Sequence, residues 1–185
     1  MNFYLNNLKS STKEMKSIST IAVCGMLIAL NAVLRQFTII ISDILQISFS
    51  FLTVSTAGML FGPIVGSAMA GVSDIINYVV RPDGPFFPGF TLNALLTGFI
   101  YGMILYKKPV TILRTLAANV IVMVLINFLL NPLWLSILYG KSFIVVLSAR
   151  ILKNLIMLPI NTGMLYMVLK FVSKINSFGA KRLGH

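Results

Sequence analysis

The sequence predicts an all-α integral membrane protein, a bundle of six transmembrane helices with both termini cytoplasmic. Three observations carry that prediction. Of the 185 residues, 57% are hydrophobic and only 10% are charged, whereas a water-facing surface needs roughly a quarter charged. The apolar residues fall into six stretches, each near the roughly 20 residues a helix needs to cross a hydrocarbon core of ~30 Å. The basic residues outnumber the acids fifteen to four and gather at one set of ends. The same composition excludes an ordinary soluble enzyme, a disordered chain and a nucleic-acid-binding domain. The net charge of +11 is read as topology, because cytoplasmic loops of membrane proteins collect Lys and Arg.

Each element follows from its boundary residues. Residues 1–17 form a polar cytoplasmic tail containing Lys9, Lys13 and Lys16. The first span runs from Ile18 to Ile41 and ends at the polar pair Ser42–Asp43. It is too long for a signal-peptide core and no small-residue cleavage site follows it, so it is read as retained. The second span covers Ile44 to Phe61, where Gly62–Pro63 breaks the pattern. The third runs to Val80. Residues 81–89 hold three prolines and two glycines, a composition that demands an ordered, turn-rich loop. The fourth span is Phe90 to Tyr106, ended by Lys107-Lys108-Pro109. The fifth, Ile112 to Tyr139, is long enough for Pro132 to kink it. Gly140-Lys141-Ser142 turns the chain into the sixth, from Phe143 to Val172. Residues 173–185 are a second polar, basic cytoplasmic tail, so the six-helix domain is 18–172.

An even number of spans puts both termini on one side, and the charges say which. Lys9, Lys13 and Lys16, then Lys107, Lys108 and Arg114, then Lys170, Lys174, Lys181 and Arg182 share one face. The positive-inside rule makes that face cytoplasmic and the protein a multi-pass protein of a bacterial plasma membrane. Arg35, Arg81, Lys141, Arg150 and Lys153 lie in the outer half or the outer loops. The lone cysteine, Cys24, sits in an apolar run and reads as a small buried residue.

Catalytic machinery is missing. Gly140-Lys141-Ser142 imitates the end of a phosphate-binding loop, but that loop needs a glycine where Leu135 stands. The single histidine, His185, cannot build a metal site. No Ser–His or Cys–His pair offers a nucleophile, and the four acids Glu14, Asp43, Asp74 and Asp83 are scattered. The chain is therefore expected to be no enzyme and to use no cofactor; binding or transport is favoured.

Ionisable residues inside a membrane are costly and mark function. Asp74, Asn77, Tyr78 and Arg81 recur at helical spacing on one face that leads into the proline loop. Either they wall a cavity that opens outward, or Asp74 forms an internal ion pair that locks helices together. Arg150, Lys153, Asn154 and Met157 repeat the spacing near the outer end of the sixth span. Two cations there suit an anion, although Arg150 would also pair with Asp74 and Lys153 would also snorkel to the interface. In the first span, Ala22, Gly25, Ala29 and Ala32 form a small-residue stripe that admits another helix at close range, whether from this chain or from a partner. Asn31, Arg35 and Thr38 fall on the opposite side. Asn127, Asn131 and Trp134 share a face of the fifth span, where Trp134 also suits the interfacial belt. Phe86 and Phe87 either cap a planar ligand or anchor their loop in the headgroups. The ligand that fits such a pocket is anionic and partly planar.

These residues resemble the substrate-binding S component of an energy-coupling factor (ECF) vitamin transporter. The stripe Ala22, Gly25, Ala29, Ala32 is similar to that family's docking motif. The segments Phe86-Phe87-Pro88-Gly89-Phe90-Thr91-Leu92-Asn93-Ala94-Leu95-Leu96-Thr97-Gly98 and Ala149-Arg150-Ile151-Leu152-Lys153-Asn154-Leu155-Ile156-Met157-Leu158-Pro159 resemble its folate-specific branch. The resemblance implies capture of folate at the outer face, with ATP hydrolysed on other chains. Its implied partners are a transmembrane scaffold subunit and two cytoplasmic ATPases. Under it, Arg35, Arg150, Lys153 and Asn154 hold the polar parts of the ligand and Asp74 and Asn77 read the pteridine edge. Tyr78, Phe86, Phe87 and Trp134 then enclose its ring. Arg81, Pro82, Gly84, Pro85, Pro88 and Gly89 form the gating loop. Another vitamin such as pantothenate on the same scaffold, and a stand-alone channel or secondary transporter, are the alternatives.

Overall fold

The computed structural model describes residues 2–40, 46–82, 84–140 and 142–183. Asp43, Asp83, Lys141 and His185, all named above, lie outside them. Apart from one two-residue strand pair, the described chain is helical. Five stretches are long and apolar enough to cross a membrane: Ile18–Gln36, Phe51–Val80, Pro88–Leu105, Ile112–Tyr139 and Phe143–Ile175. Their outer faces carry bare apolar side chains, among them Ile18, Val79, Leu113, Ile144 and Met167, which is the arrangement hydrocarbon solvates and water does not.

The polar N-terminal segment is a helix, α1 (Asn2–Glu14). It packs where the chain turns at Gly62. Gly62 is the N-cap of α4 (Pro63–Val80) and has no side chain to cap with. Ser11 of α1 does that instead. Its hydroxyl donates to the Phe61 carbonyl at 2.7 Å and accepts the backbone N–H groups of Ile64 and Val65 at 3.1 and 3.2 Å. The first amides of a helix have no partner within it, so a serine fifty residues upstream closes the turn. Ser11→Ala is expected to cost about 1–2 kcal/mol, read as a lower melting temperature in detergent; an unchanged melting temperature would show that the cap contributes nothing.

α2 (Ile18–Gln36) leads into the strand pair, with Ile39 opposite Ile47 and Ile40 opposite Gln46. This corrects two expected spans. The run from Thr38 to Ile41 is β-branched and suits extended backbone, and α2 stops at Gln36. The next helix, α3 (Phe51–Phe61), starts late and has 11 residues, about 16 Å, too short to cross alone.

Glycines bind the centre together. A Cβ on Gly66 of α4 would lie 2.8 Å from the Gly58 Cα of α3. On α5 (Pro88–Leu105), a Cβ on Gly98 would overlap the backbone of Gly66 and Ser67, and one on Gly102 the backbone of Pro63. Three helices thus meet backbone to backbone, which in lipid supplies the packing that hydrophobicity cannot. Tyr101, Leu105, Leu165 and Leu169 are sealed beside them.

The fifth stretch is α6 (Ile112–Val122), a π-helical segment (Met123–Leu130) and α7 (Asn131–Tyr139). Pro132 does not simply kink it. A proline ring clashes with the carbonyl four residues back, and the wide turns upstream make room: the Asn131 N–H reaches the Ile126 carbonyl, five residues away. α8 (Phe143–Leu183) is continuous through Pro159 and carries helix past Val172, into the expected tail.

Candidate ligand-binding site

The C-terminal halves of α2 and α4, the start of α5, α7 and the start of α8 meet at the end of the bundle opposite α1. A cavity of ≈ 370 Å³ opens there. Arg35, Asp74, Asn77, Tyr78, Phe86, Phe87, Arg150, Lys153 and Asn154 all line it. Nine of the ten expected ligand-contact residues therefore meet, from α2, α4, the loop before α5, and α8. The tenth, Trp134, lies behind the wall. Its ring centroid is 5.6 Å from that of Phe87 and its indole N–H donates to Asn93 Oδ1 at 3.1 Å.

Asp74 is fixed by the Thr91 hydroxyl, which donates to Oδ2 at 2.8 Å. Asn77 belongs to a buried amide pair: its Nδ2 donates to Asn31 Oδ1 at 2.8 Å, and Asn31 Nδ2 donates to the Ser50 carbonyl and the Thr53 hydroxyl. Asn77 Oδ1, on the cavity wall, is buried without a hydrogen-bond partner among the described residues. A buried acceptor left open in this way costs stability unless something donates to it. Tyr78 meets Phe86 edge-on at 5.1 Å, so the aromatic side of the cavity is braced by ring contacts.

The expected gating loop is shorter than its composition suggested. Pro88 opens α5 and Gly89 follows in its first turn, because proline at the first helical position sacrifices an N–H that has no partner there anyway. Gly89 is packed against Phe87 and Trp134. Arg81, Gly84 and Pro85 line the cavity; Pro82 does not. Gly84 holds φ +130°, a conformation glycine tolerates. The Arg81 guanidinium donates to the carbonyl of Gln36 at 3.0 Å, which anchors the base of the loop to the C-terminus of α2, where a cation also favours the helix dipole.

Sequence reasoning missed a second chamber. A cavity of ≈ 240 Å³ shares Ser48, Thr97, Asn127, Lys153 and Asn154 with the first and continues among Tyr101, Asn119, Met157 and Asn161. Tyr101 donates to Asn119 Oδ1 at 2.8 Å and Asn119 Nδ2 to the Thr162 hydroxyl at 3.0 Å. The signal was there in part: asparagines deep in apolar helices are expensive and need partners.

The small-residue stripe faces away from the molecule. Ala22, Gly25 and Ala29 are exposed, Ala32 is half-buried, and a Cβ on Gly25 would meet nothing within 4 Å. Among the described residues no helix packs closely on Ala22, Gly25 or Ala29; Asn31, on the other side, is buried.

Comparison with known proteins shows the family of the chain. Residues 19–169 match the family described as ECF transporter, substrate-specific component. The folate transporter FolT of Clostridium novyi is 36% identical over 161 residues, 87% of this chain and 94% of that protein. The folate transporter FolT of Leuconostoc mesenteroides is 35% identical over 151 residues, 78% and 81%. A crystal structure of FolT bound with folic acid superposes with a TM-score of 0.78 at 39% identity, covering 83% of this chain and 94% of that one. With its long apolar helices and a match covering most of its length, the chain is a multi-pass protein of the cell membrane and belongs to the family of substrate-specific components of ECF transporters.

Proposed function

We infer that the protein is the folate-binding subunit of an ECF transporter. It captures the vitamin at the outer face and hands it to an ATP-driven complex of a transmembrane scaffold subunit and two cytoplasmic ATPases. The observation that carries the reading is the cavity. Nine residues selected for an anionic, partly planar ligand converge on it, and its relatives include FolT proteins and a FolT structure holding folic acid. Arg35, Arg150 and Lys153 offer cations to the two carboxylates, for which charge-assisted hydrogen bonds are the strong ones. Asp74 accepts from the amino edge of the pteridine, and Asn77 Oδ1, still without a donor among the described residues, does the same. Tyr78, Phe86 and Phe87 cover the ring, with Trp134 backing Phe87.

The topology follows from the charges. Arg114, Lys107, Lys108 and the lysines of α1 lie at the end away from the cavity, so that end is cytoplasmic and the cavity faces out. Arg81, Gly84 and Pro85 gate it. The exposed stripe Ala22, Gly25, Ala29 and Ala32 docks on the scaffold subunit. Calorimetric titration of the purified protein with folic acid is expected to give tight, one-to-one binding, with pantothenate giving none. Binding of pantothenate in place of folic acid would assign the scaffold to the other vitamin.

A further inference from the structure

We propose that Trp134, acting through Asn93 and Asn131, fixes Asn127 as a hydrogen-bond donor to the ligand. Trp134 is thereby a positioning residue, and Asn127 makes the contact. The inference rests on the cavity being a folate site.

An indole N–H can only donate. The Trp134 N–H lies 3.1 Å from Asn93, so the Asn93 atom facing it must be Oδ1. That turns Asn93 Nδ2 toward Asn131, whose Oδ1 accepts at 2.9 Å. Asn131 Nδ2 in turn donates to Asn127 Oδ1 at 3.2 Å. Each amide thus dictates which way the next one faces. Asn93 is buried, so reversing it would set two donors against each other where no water relieves them. At the end of the relay the Asn127 oxygen is occupied. Its Nδ2 has no acceptor among the described residues, and the residue borders both chambers at their junction. The π-helical segment puts it there, four residues before Asn131. The result is a fixed N–H pair aimed at whatever crosses from one chamber to the other, and it selects a carbonyl or carboxylate oxygen over an amine.

Folic acid titration of four variants tests this. Asn127→Leu and Asn127→Asp keep the size of the side chain and lose its N–H groups; both are expected to weaken binding about tenfold to a hundredfold. Trp134→Phe keeps an aromatic ring against Phe87 and removes the N–H together with part of the bicyclic ring, so the comparison between the two backgrounds, rather than the single loss, reads the relay. It is expected to weaken binding a few-fold in the parent and to add nothing to Asn127→Leu, since its effect passes through Asn127. Trp134 is the sole tryptophan, so quenching of its emission by folic acid follows binding in the variants that keep it. Parent-like affinity of Asn127→Leu, or of Asn127→Asp, overturns the donor contact. An equal loss from Trp134→Phe in both backgrounds overturns the relay. If the Asn127 variants do not purify as monodisperse protein, Asn127→Ala replaces Asn127→Leu in the same cycle. A parent protein that ignores folic acid removes the functional reading itself, whereas a parent that binds folic acid no better than Asn127→Leu removes only the Asn127 contact.

Discussion

Lys153→Met is expected to weaken folic acid binding by about a hundredfold or more while leaving the protein folded. Lys153 borders both chambers, so a ligand in either one meets its ammonium. Arg150 stands one turn earlier on the same face of α8 and lines the outer chamber. Losing one partner of a desolvated charge pair typically costs about 2–5 kcal/mol, about thirtyfold to several thousandfold. Methionine keeps the apolar stem, so lost packing does not imitate lost charge. Arg150→Ala, which removes the second cation, and Asp74→Asn, which removes a carboxylate held by Thr91, are expected to lose affinity as well. A calorimetric titration separates the outcomes. Parent-like affinity in all three variants would mean that the anion and the pteridine edge sit elsewhere.

Much of this architecture was legible in the sequence because its signals are periodic. Asp74, Asn77, Tyr78 and Arg81 can only share a face if the third span is helical, and α4 is. The polar and small faces of the first span separate at helical spacing, but spacing left open whether the small face packs within this chain; α2 turns it outward. The extent of the second span was not legible. Apolar runs look alike whether they are buried helix or extended chain, and only the β-branched character of residues 38–41 hinted that α2 would stop at Gln36. The inner chamber was not legible either. It depends on π-helical turns upstream of Pro132 and on which asparagine faces which, and both are settled by tertiary contact rather than by spacing. Trp134 shows the difference. Helical spacing puts it on one face with Asn127 and Asn131, but its contacts, Asn93 and Phe87, come from α5 and the loop before it.

Ala29→Trp is expected to abolish folate uptake by cells carrying the complete transporter while leaving folic acid binding within about twofold of the parent, as a surface change should. Ala29 lies on the exposed side of α2 with Ala22 and Gly25, and among the described residues a Cβ on Gly25 would meet nothing within 4 Å. Small residues matter at such a surface because they let another helix backbone approach, and an indole there holds it off. The bundle itself loses nothing: α2 is secured from its other side, through Asn31 to Ser50, Thr53 and Asn77. Leu30→Trp is the control. Leu30 is also exposed but stands about 100° around the helix, so it should bind and transport like the parent. The two readouts divide the alternatives. Uptake that survives Ala29→Trp would take the scaffold off this face. Lost binding with an intact complex would make the stripe part of the ligand site. Uptake that persists when the ATPase subunits are removed would return the protein to the class of stand-alone transporters. Lost uptake with retained binding is the result expected of a subunit whose capture site and docking face lie on opposite sides of one helix.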